Sequence, residues 1–155
     1  MDALADKILR TFGELQRELL DLHSLFEIAG GNLPTQREAV LDAVTNLARR
    51  SLLHERGGDF YSLTESGRLA IAAPDHLTLL SRPGCHLCAE AQRAIAPLLR
   101  EFGLSLREVN IDEDGSLIRR FTDDVPVLFL GTREIARHQV DVNQLRQSLT
   151  QLRER

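Results

Sequence analysis

The stretch that decides the fold is Leu79-Leu80-Ser81-Arg82-Pro83-Gly84-Cys85-His86-Leu87-Cys88-Ala89-Glu90-Ala91. The apolar run that ends at Ser81 predicts a strand, and the residues after Cys85 predict a helix. That helix would carry one apolar face, formed by Leu87, Ala91, Ala94, Leu98 and Phe102. A strand, a Cys-x-x-Cys spacing and a helix therefore follow one another, and the chain has no other cysteines.

This order is suited to thiol–disulfide exchange, which needs one thiolate that attacks and a second thiol that releases the mixed disulfide. Cys85 lies where the unpaired N–H groups and the dipole of the helix favour negative charge, so we predict that it is the nucleophile. Cys88 lies one turn into the helix and is the predicted resolving thiol. Arg82 and His86 are expected to add positive potential at the Cys85 sulfur and to lower its pKa further.

Two other interpretations of the cysteine pair remain open, namely half of a zinc site and an inert buried pair. Structural zinc needs four ligands, and His23, His54, His76 and His138 show no metal-ligand spacing. The strand and helix around the pair favour redox chemistry over both. We predict no metal and no bound cofactor.

Downstream of this stretch, the pattern alternates strands and helices. Leu106–Ile111 predicts a strand, Leu117–Phe121 a short helix and Val127–Leu130 a buried strand. Gly131-Thr132 predicts a two-residue turn into an edge strand near Glu134–Arg137, which must be antiparallel to the strand before it. Asp141 is the predicted N-cap of a terminal helix, so the expected order is βαβαββα.

A helical pattern stops at Ala72-Ala73-Pro74-Asp75, which predicts a domain boundary. Before it, we expect three helices, a hairpin and a closing helix capped by Thr64. The first helix has Ile8, Phe12, Leu15 and Leu19 on one face, the second ends at Gly30-Gly31, and the third begins with a Thr35–Glu38 capping box. The hairpin joins Leu52-Leu53-His54 to Phe60-Tyr61-Ser62-Leu63 through Gly57-Gly58.

The stretch from Leu52 to Arg68 resembles the wing and following helix of bacterial winged-helix proteins. One functional hypothesis for such a domain is DNA binding through the helix near residues 35–50, with phosphate contacts from Arg37, Arg49, Arg50, Arg56 and Arg68. The net charge of residues 1–74 is −3, from eight Lys/Arg and eleven Asp/Glu, whereas a DNA-binding face is usually basic. Dimerisation or docking of a protein partner is therefore at least as well supported.

The whole composition, 43% hydrophobic and 27% charged, is typical of a globular chain. No apolar run approaches the roughly 18 residues of a membrane span, and the first residues lack the pattern of a secretory signal. We therefore expect a cytoplasmic protein with no membrane partner.

Residues 79–91, together with Val125-Pro126-Val127-Leu128, resemble the small bacterial glutaredoxin-like proteins with a Cys-His-Leu-Cys centre. The resemblance covers about residues 76–152 and implies a thioredoxin fold with disulfide reductase or glutaredoxin-type activity. It also implies that Pro126 is a cis-proline facing the active cysteine, an uncommon form at roughly 5–6% of X–Pro bonds. Such a proline would leave the backbone of Val125 to pair with an extended peptide or with glutathione.

Compared with well-studied glutaredoxins, His86-Leu87 stands where those proteins have Pro-Tyr. Arg82 matches their basic position three residues before the first cysteine, which contacts the carboxylates of glutathione. The stretch from Arg137 to Asp141 stands where they have a Gly-Gly-Asp turn, so only the acidic residue, Asp141, is kept. We therefore expect glutathione as a co-substrate, although this chain keeps only some of the residues with which glutaredoxins bind it.

The predicted architecture is an α+β winged helix-turn-helix-like domain, residues 1–73, followed by an α/β thioredoxin-fold domain, residues 76–155. The predicted function is a thiol–disulfide oxidoreductase in which Cys85 and Cys88 reduce protein or glutathione disulfides. The alternative is a redox-responsive regulatory or DNA-binding protein switched by the Cys85–Cys88 disulfide. The expected partners are a disulfide-containing protein or glutathione, with a protein or DNA at the N-terminal domain.

Overall fold

The computed structural model describes residues 3–15 and 17–154. They form two compact units, of which the first ends at Ile71 and the second begins at Ala72. The outer ends of the predicted domains, at residues 1 and 155, lie outside the described residues. No helix among the described residues combines the length and the apolar character needed to cross a bilayer.

The first unit is a small helical domain with a three-stranded antiparallel sheet of order β1-β3-β2. Its elements are α1 (Ala3–Leu15), β1 (Leu20–Asp21), α2 (Leu22–Ala29), α3 (Pro34–Arg49), β2 (Leu53–Gly57), β3 (Phe60–Leu63) and α4 (Glu65–Ala70). The predicted end of α2 is confirmed, because Gly30 adopts the left-handed conformation with φ 80°. The predicted hairpin and the Thr64 cap are confirmed too, the Thr64 hydroxyl accepting a bond from the Gly67 N–H at 2.9 Å.

Two local predictions for this unit are wrong. Leu15 and Leu19 are 46% and 44% exposed, since α1 ends at Leu15 and the chain then enters β1 with Leu20 buried in their place. The start of α3 is not capped by Thr35 and Glu38. Instead, the Gln36 side-chain oxygen accepts the N–H groups of Asn32 and Leu33 at 3.1 Å each.

The second unit is an α/β layer structure. Its elements are β4 (Leu77–Ser81), α5 (His86–Phe102), β5 (Leu106–Asn110), a 3₁₀ turn (Ile111–Glu113), α6 (Gly115–Phe121), β6 (Val127–Leu130), β7 (Arg133–Arg137) and α7 (Val142–Arg153). The sheet order is β5-β4-β6-β7, with β4 parallel to β5 and every other pair antiparallel. The predicted βαβαββα order is confirmed, and it is the arrangement of a thioredoxin or glutaredoxin-like fold.

Helices cover both faces of this sheet, which is why β4 and β6 are buried along their whole lengths. On one face, apolar residues of the strands pack with α5 and α7: Leu77, Leu79, Ile95, Leu98, Leu128, Leu145 and Leu149. On the other face, the ring of Phe121 from α6 meets Phe129 edge-on, with centroids 6.0 Å apart. A central strand enclosed in this way gives the loop after Ser81 a rigid base.

Close packing of α4 against the backbone of Leu52, the residue before β2, gives a stability prediction. A Cβ added at Gly67 would overlap the carbonyl oxygen of Leu52, so Gly67→Ala should destabilise the first unit by about 1–3 kcal/mol. Tyr61 is the chain's only tyrosine, tryptophan is absent, and Tyr61 is buried in the first unit. Urea unfolding followed by its fluorescence therefore reports this unit alone.

The matched control is Gly13→Ala in α1, where the added Cβ would meet only the flexible end of Ile71. Because alanine is also favoured over glycine inside a helix, this change should be much milder. Equal unfolding midpoints for Gly67→Ala and the unmodified chain would contradict the packing argument.

Candidate functional site

The two cysteines form a disulfide at the start of α5, with their Cα atoms 5.2 Å apart. Cys85 is the N-cap of the helix, and its sulfur accepts the N–H of Cys88 at 3.1 Å. Gly84, with φ 73°, supplies the left-handed turn that leads from the strand into this cap. The predicted placement of Cys85 at a helix N-terminus is therefore what the structure shows.

The two sulfurs differ in access. Cys85 is partly exposed, whereas Cys88 is 3% exposed. A group arriving from solvent would therefore meet Cys85 first. This asymmetry is consistent with the predicted roles of a nucleophile and a resolving thiol.

The buried stripe of α5 is rotated from the predicted one. It runs through Cys88, Ala91, Ile95 and Leu98, and Leu87 is 39% exposed. The prediction that Leu87 belongs to the apolar core is wrong, because Cys88 takes the inward position. An apolar side chain inside the motif is thereby left on the surface.

A carboxylate on β5 ties the end of β4 to α5. Glu108 accepts the hydroxyl proton of Ser81 at 2.8 Å and is also hydrogen-bonded to the side chain of Gln92. Ser81 is the last residue of β4, and Gln92 lies one turn beyond Cys88. Glu108 thus joins the elements on either side of the cysteine loop, and the sequence analysis did not identify it.

Val125-Pro126 forms a cis peptide bond immediately before β6, as the resemblance implied. Pro126 is buried and Val125 is partly exposed. The carbonyl oxygen of Pro126 accepts the N–H of His138 at 2.8 Å, which ties this turn to the end of β7.

Arg82 is engaged with other protein groups. Its guanidinium contacts Asp112 at 2.9 and 3.0 Å and donates to the hydroxyl of Thr122 at 3.0 Å. These partners lie thirty and forty positions away in sequence. The charge that was expected to act on the Cys85 sulfur is therefore shared with a carboxylate.

His86 and Asp141 are also occupied locally. The exposed His86 ring lies 3.1 Å from Glu90, one turn along α5. The Asp141 carboxylate accepts the N–H groups of Asn143 and Gln144, and it is the predicted N-cap of α7. The role of each residue toward a substrate stays a prediction.

A charged cluster that the sequence did not predict lies beside the cis-proline turn. Arg137 contacts Asp124 at 2.7 Å and Glu134 at 2.6 Å, and the hydrogen bond that its guanidinium donates to the Glu134 carboxylate raises the pKa of Arg137 above its usual value. His138, held at φ 68°, lies 3.5 Å from Asp124. In the sequence, only the acidic pair Asp123-Asp124 before Val125 indicates such a cluster. The partners of Asp124, Arg137 and His138, lie thirteen and fourteen positions downstream, so the sequence alone does not connect them.

A groove of about 230 Å³ runs along the exposed side of α5. Leu87, Glu90 and Ala94 line it from the helix, and His138 and Val140 line it from the segment after β7. The groove therefore begins inside the cysteine motif and ends beside the charged cluster.

Among the described residues, no group of three or more His, Cys, Asp or Glu side chains is arranged to hold a metal ion. What the site does contain is a dithiol/disulfide pair with one accessible sulfur. Such a pair can accept or donate two electrons by exchange with an external disulfide or dithiol.

Known proteins are similar to the second unit of this chain. The model of the glutaredoxin-like domain (DUF836) matches residues 76–150. A glutaredoxin-like protein of Dictyostelium discoideum is 30% identical over 76 residues, which are 45% of this chain and 70% of the relative. An uncharacterized protein of Mycobacterium tuberculosis is 33% identical over 73 residues, 44% of this chain and 75% of the relative.

Among solved structures, protein Ne2328 of Nitrosomonas europaea is 31% identical, with a TM-score of 0.44. The match covers 48% of this chain and 91% of that one. Residues before position 76 lie outside the family match.

The difference in access between the sulfurs predicts the order of alkylation after mild reduction. Cys85 should react with iodoacetamide well before Cys88, because the Cys88 sulfur is enclosed. Peptide mapping by mass spectrometry at increasing reaction times measures both rates. Urea supplies the control, since unfolding should remove the difference; equal rates in the folded chain would refute it.

Proposed function

Because this chain belongs to the glutaredoxin-like family through residues 76–150, we propose that it is a thiol–disulfide oxidoreductase that reduces disulfides of proteins or of glutathione. The observation that carries the proposal is the pair formed by an accessible Cys85 at a helix N-terminus and an enclosed Cys88 one turn below it. Such a pair has one sulfur for attack and one for release.

The first step begins from the reduced dithiol. The Cys85 thiolate attacks one sulfur of the substrate disulfide, forming a Cys85–substrate bond and breaking the substrate S–S bond. The leaving sulfur departs as a thiolate and takes a proton from solvent. Backbone N–H groups at the start of α5 favour the thiolate form of Cys85.

In the second step, the Cys88 thiolate attacks the Cys85 sulfur and releases the second substrate thiol. Two electrons have then passed to the substrate, and the Cys85–Cys88 disulfide is left in the protein. An external thiol, either glutathione or a protein dithiol, returns those electrons. We propose that the backbone of Val125 pairs with the substrate chain during both steps.

The cysteine roles predict different outcomes for two single substitutions. Cys85→Ser should reduce turnover of a model disulfide such as insulin to the uncatalysed background, because the attacking sulfur is gone. Cys88→Ser should accumulate the mixed disulfide with Cys85, because release is blocked. Non-reducing electrophoresis and mass spectrometry identify the bonded partner.

Serine is the suitable replacement for Cys85 because its oxygen can still accept the Cys88 N–H as an N-cap. Loss of turnover with an unchanged fold would then be assigned to the chemistry. Unchanged turnover in Cys85→Ser would refute the proposed function.

We also propose that the first unit is a winged-helix domain in the cytoplasm and that it docks a protein rather than DNA. Its three helices, hairpin and closing helix support the fold assignment. On α3, Glu38, Leu41, Asp42 and Thr45 share one exposed face by helical spacing. Two carboxylates beside an exposed leucine do not suit a phosphate backbone.

This proposal predicts little affinity for duplex DNA. Fluorescence anisotropy with a labelled duplex, measured from low to physiological salt, should show no saturable binding. Strong binding that weakens steeply with salt would overturn it, since that dependence reports phosphate contacts. The redox-switched alternative has no support in the family match and stays a prediction.

A further inference from the structure

The substrate class follows from what surrounds the cysteines, and it rests on the proposed reductase function. Glutathione is recognised through its charged ends, so a site for it needs cationic groups that are available to bind carboxylates. A protein disulfide is recognised through side chains and backbone on both sides of its cysteine. The two substrates therefore need different surroundings.

Two arginines at this site are already paired with carboxylates, and the guanidinium of a third, Arg120, lies over the ring of Phe121 at 4.8 Å from its centroid. Arg82 is held by Asp112, and Arg137 is held by Asp124 and Glu134. The imidazoles follow the same pattern. His86 contacts Glu90, and His138 contacts Asp124.

Acidic groups outnumber basic ones at this end of the second unit. Besides Arg82, Arg120 and Arg137, it carries the carboxylates of Glu90, Asp112, Asp123, Asp124 and Glu134. Five carboxylates against three guanidinium groups leave an excess of negative charge among these side chains. Oxidised glutathione carries more carboxylates than ammonium groups and would be repelled, whereas a basic peptide would be attracted.

The groove supplies the second requirement of a peptide. Leu87 is exposed within the motif, two residues after the attacking cysteine, and Ala94 and Val140 continue the apolar lining. Glu90 stands in the same groove. A chain bonded to Cys85 would place an apolar side chain on Leu87 and a cationic one near Glu90.

We infer that the preferred substrate is a disulfide in a protein segment that carries an apolar and a basic residue beside its cysteine, and that glutathione disulfide is a poor substrate. The exchange is the one already given. The protein dithiol loses two electrons and two protons, and the substrate disulfide becomes two thiols.

The test uses the reduced chain with both of its units in single-turnover reactions with three probes. Two are cyclic disulfide peptides of identical leucine content, one with lysines and one with glutamates beside the cysteines. The third is oxidised glutathione. Acid quenching, alkylation and mass spectrometry give the rate of thiol formation without any recycling enzyme.

The lysine peptide should be reduced at least about tenfold faster than the other two probes at low ionic strength. That advantage should shrink at high salt, where the Debye length falls to about 3 Å. Glu90→Gln should lower the lysine-to-glutamate rate ratio. Leu87→Ala should slow both peptides by a larger factor than it slows glutathione disulfide.

The matched control is Glu101→Gln, which removes a carboxylate of similar exposure, also ion-paired, from the far end of α5. It should leave the rate ratio as in the unmodified chain. Equal rates for the two peptides, or a glutathione rate that equals the lysine rate, would overturn the inference while leaving the proposed function intact. If no probe reacts faster than with Cys85→Ser, both fail together.

Discussion

The hydrogen bond from the Cys88 N–H to the Cys85 sulfur is the interaction on which the site depends. It makes the sulfur the N-cap of α5, so the same atom ends the loop from β4 and faces the unpaired N–H groups of the first turn. As the N-cap, the reactive sulfur of Cys85 lies at the end of α5 where the helix dipole favours negative charge. Both the position and the chemistry of Cys85 follow from this one contact.

The rest of the second unit holds that cap in place. β4 is enclosed on both faces, and Glu108 joins its last residue to Gln92 on α5. The exposed ion pairs around the site add little stability, since such pairs contribute about 0–1 kcal/mol each. Their main effect is electrostatic: Arg82 and Arg137 are neutralised where a carboxylate-bearing ligand would need them.

Local patterns in the sequence predicted the site's backbone well. Strand, cysteine spacing and helix are encoded by neighbouring residues, and Asp141 begins the last helix as predicted from its residue type. The rotation of α5 was missed because Leu87 and Cys88 are adjacent apolar residues, and only packing decides which turns inward. In the first unit, Leu15 and Leu19 were wrongly placed on the buried face of α1, because the helical spacing of apolar residues continues beyond Leu15, where the helix ends.

Side-chain pairing could not be predicted for a different reason. Arg82 is three residues before Cys85 in sequence, which favours a role at the sulfur. Its partner Asp112 is brought to it by the parallel pairing of β4 and β5 and the 3₁₀ turn after β5, and Thr122 by the end of α6.

The pairing of Arg82 also affects which substrates the site can bind. To bind a ligand carboxylate, Arg82 must first give up its ion pair with Asp112. The net binding free energy is then the difference between two similar ion pairs, which is small. Leu87 has no such partner to give up, so an apolar contact with a substrate adds binding free energy of about 25 cal/mol per Å² of surface buried. Binding energy at this site therefore comes from Leu87 and its groove more readily than from its arginines, which favours a polypeptide over a small acidic thiol.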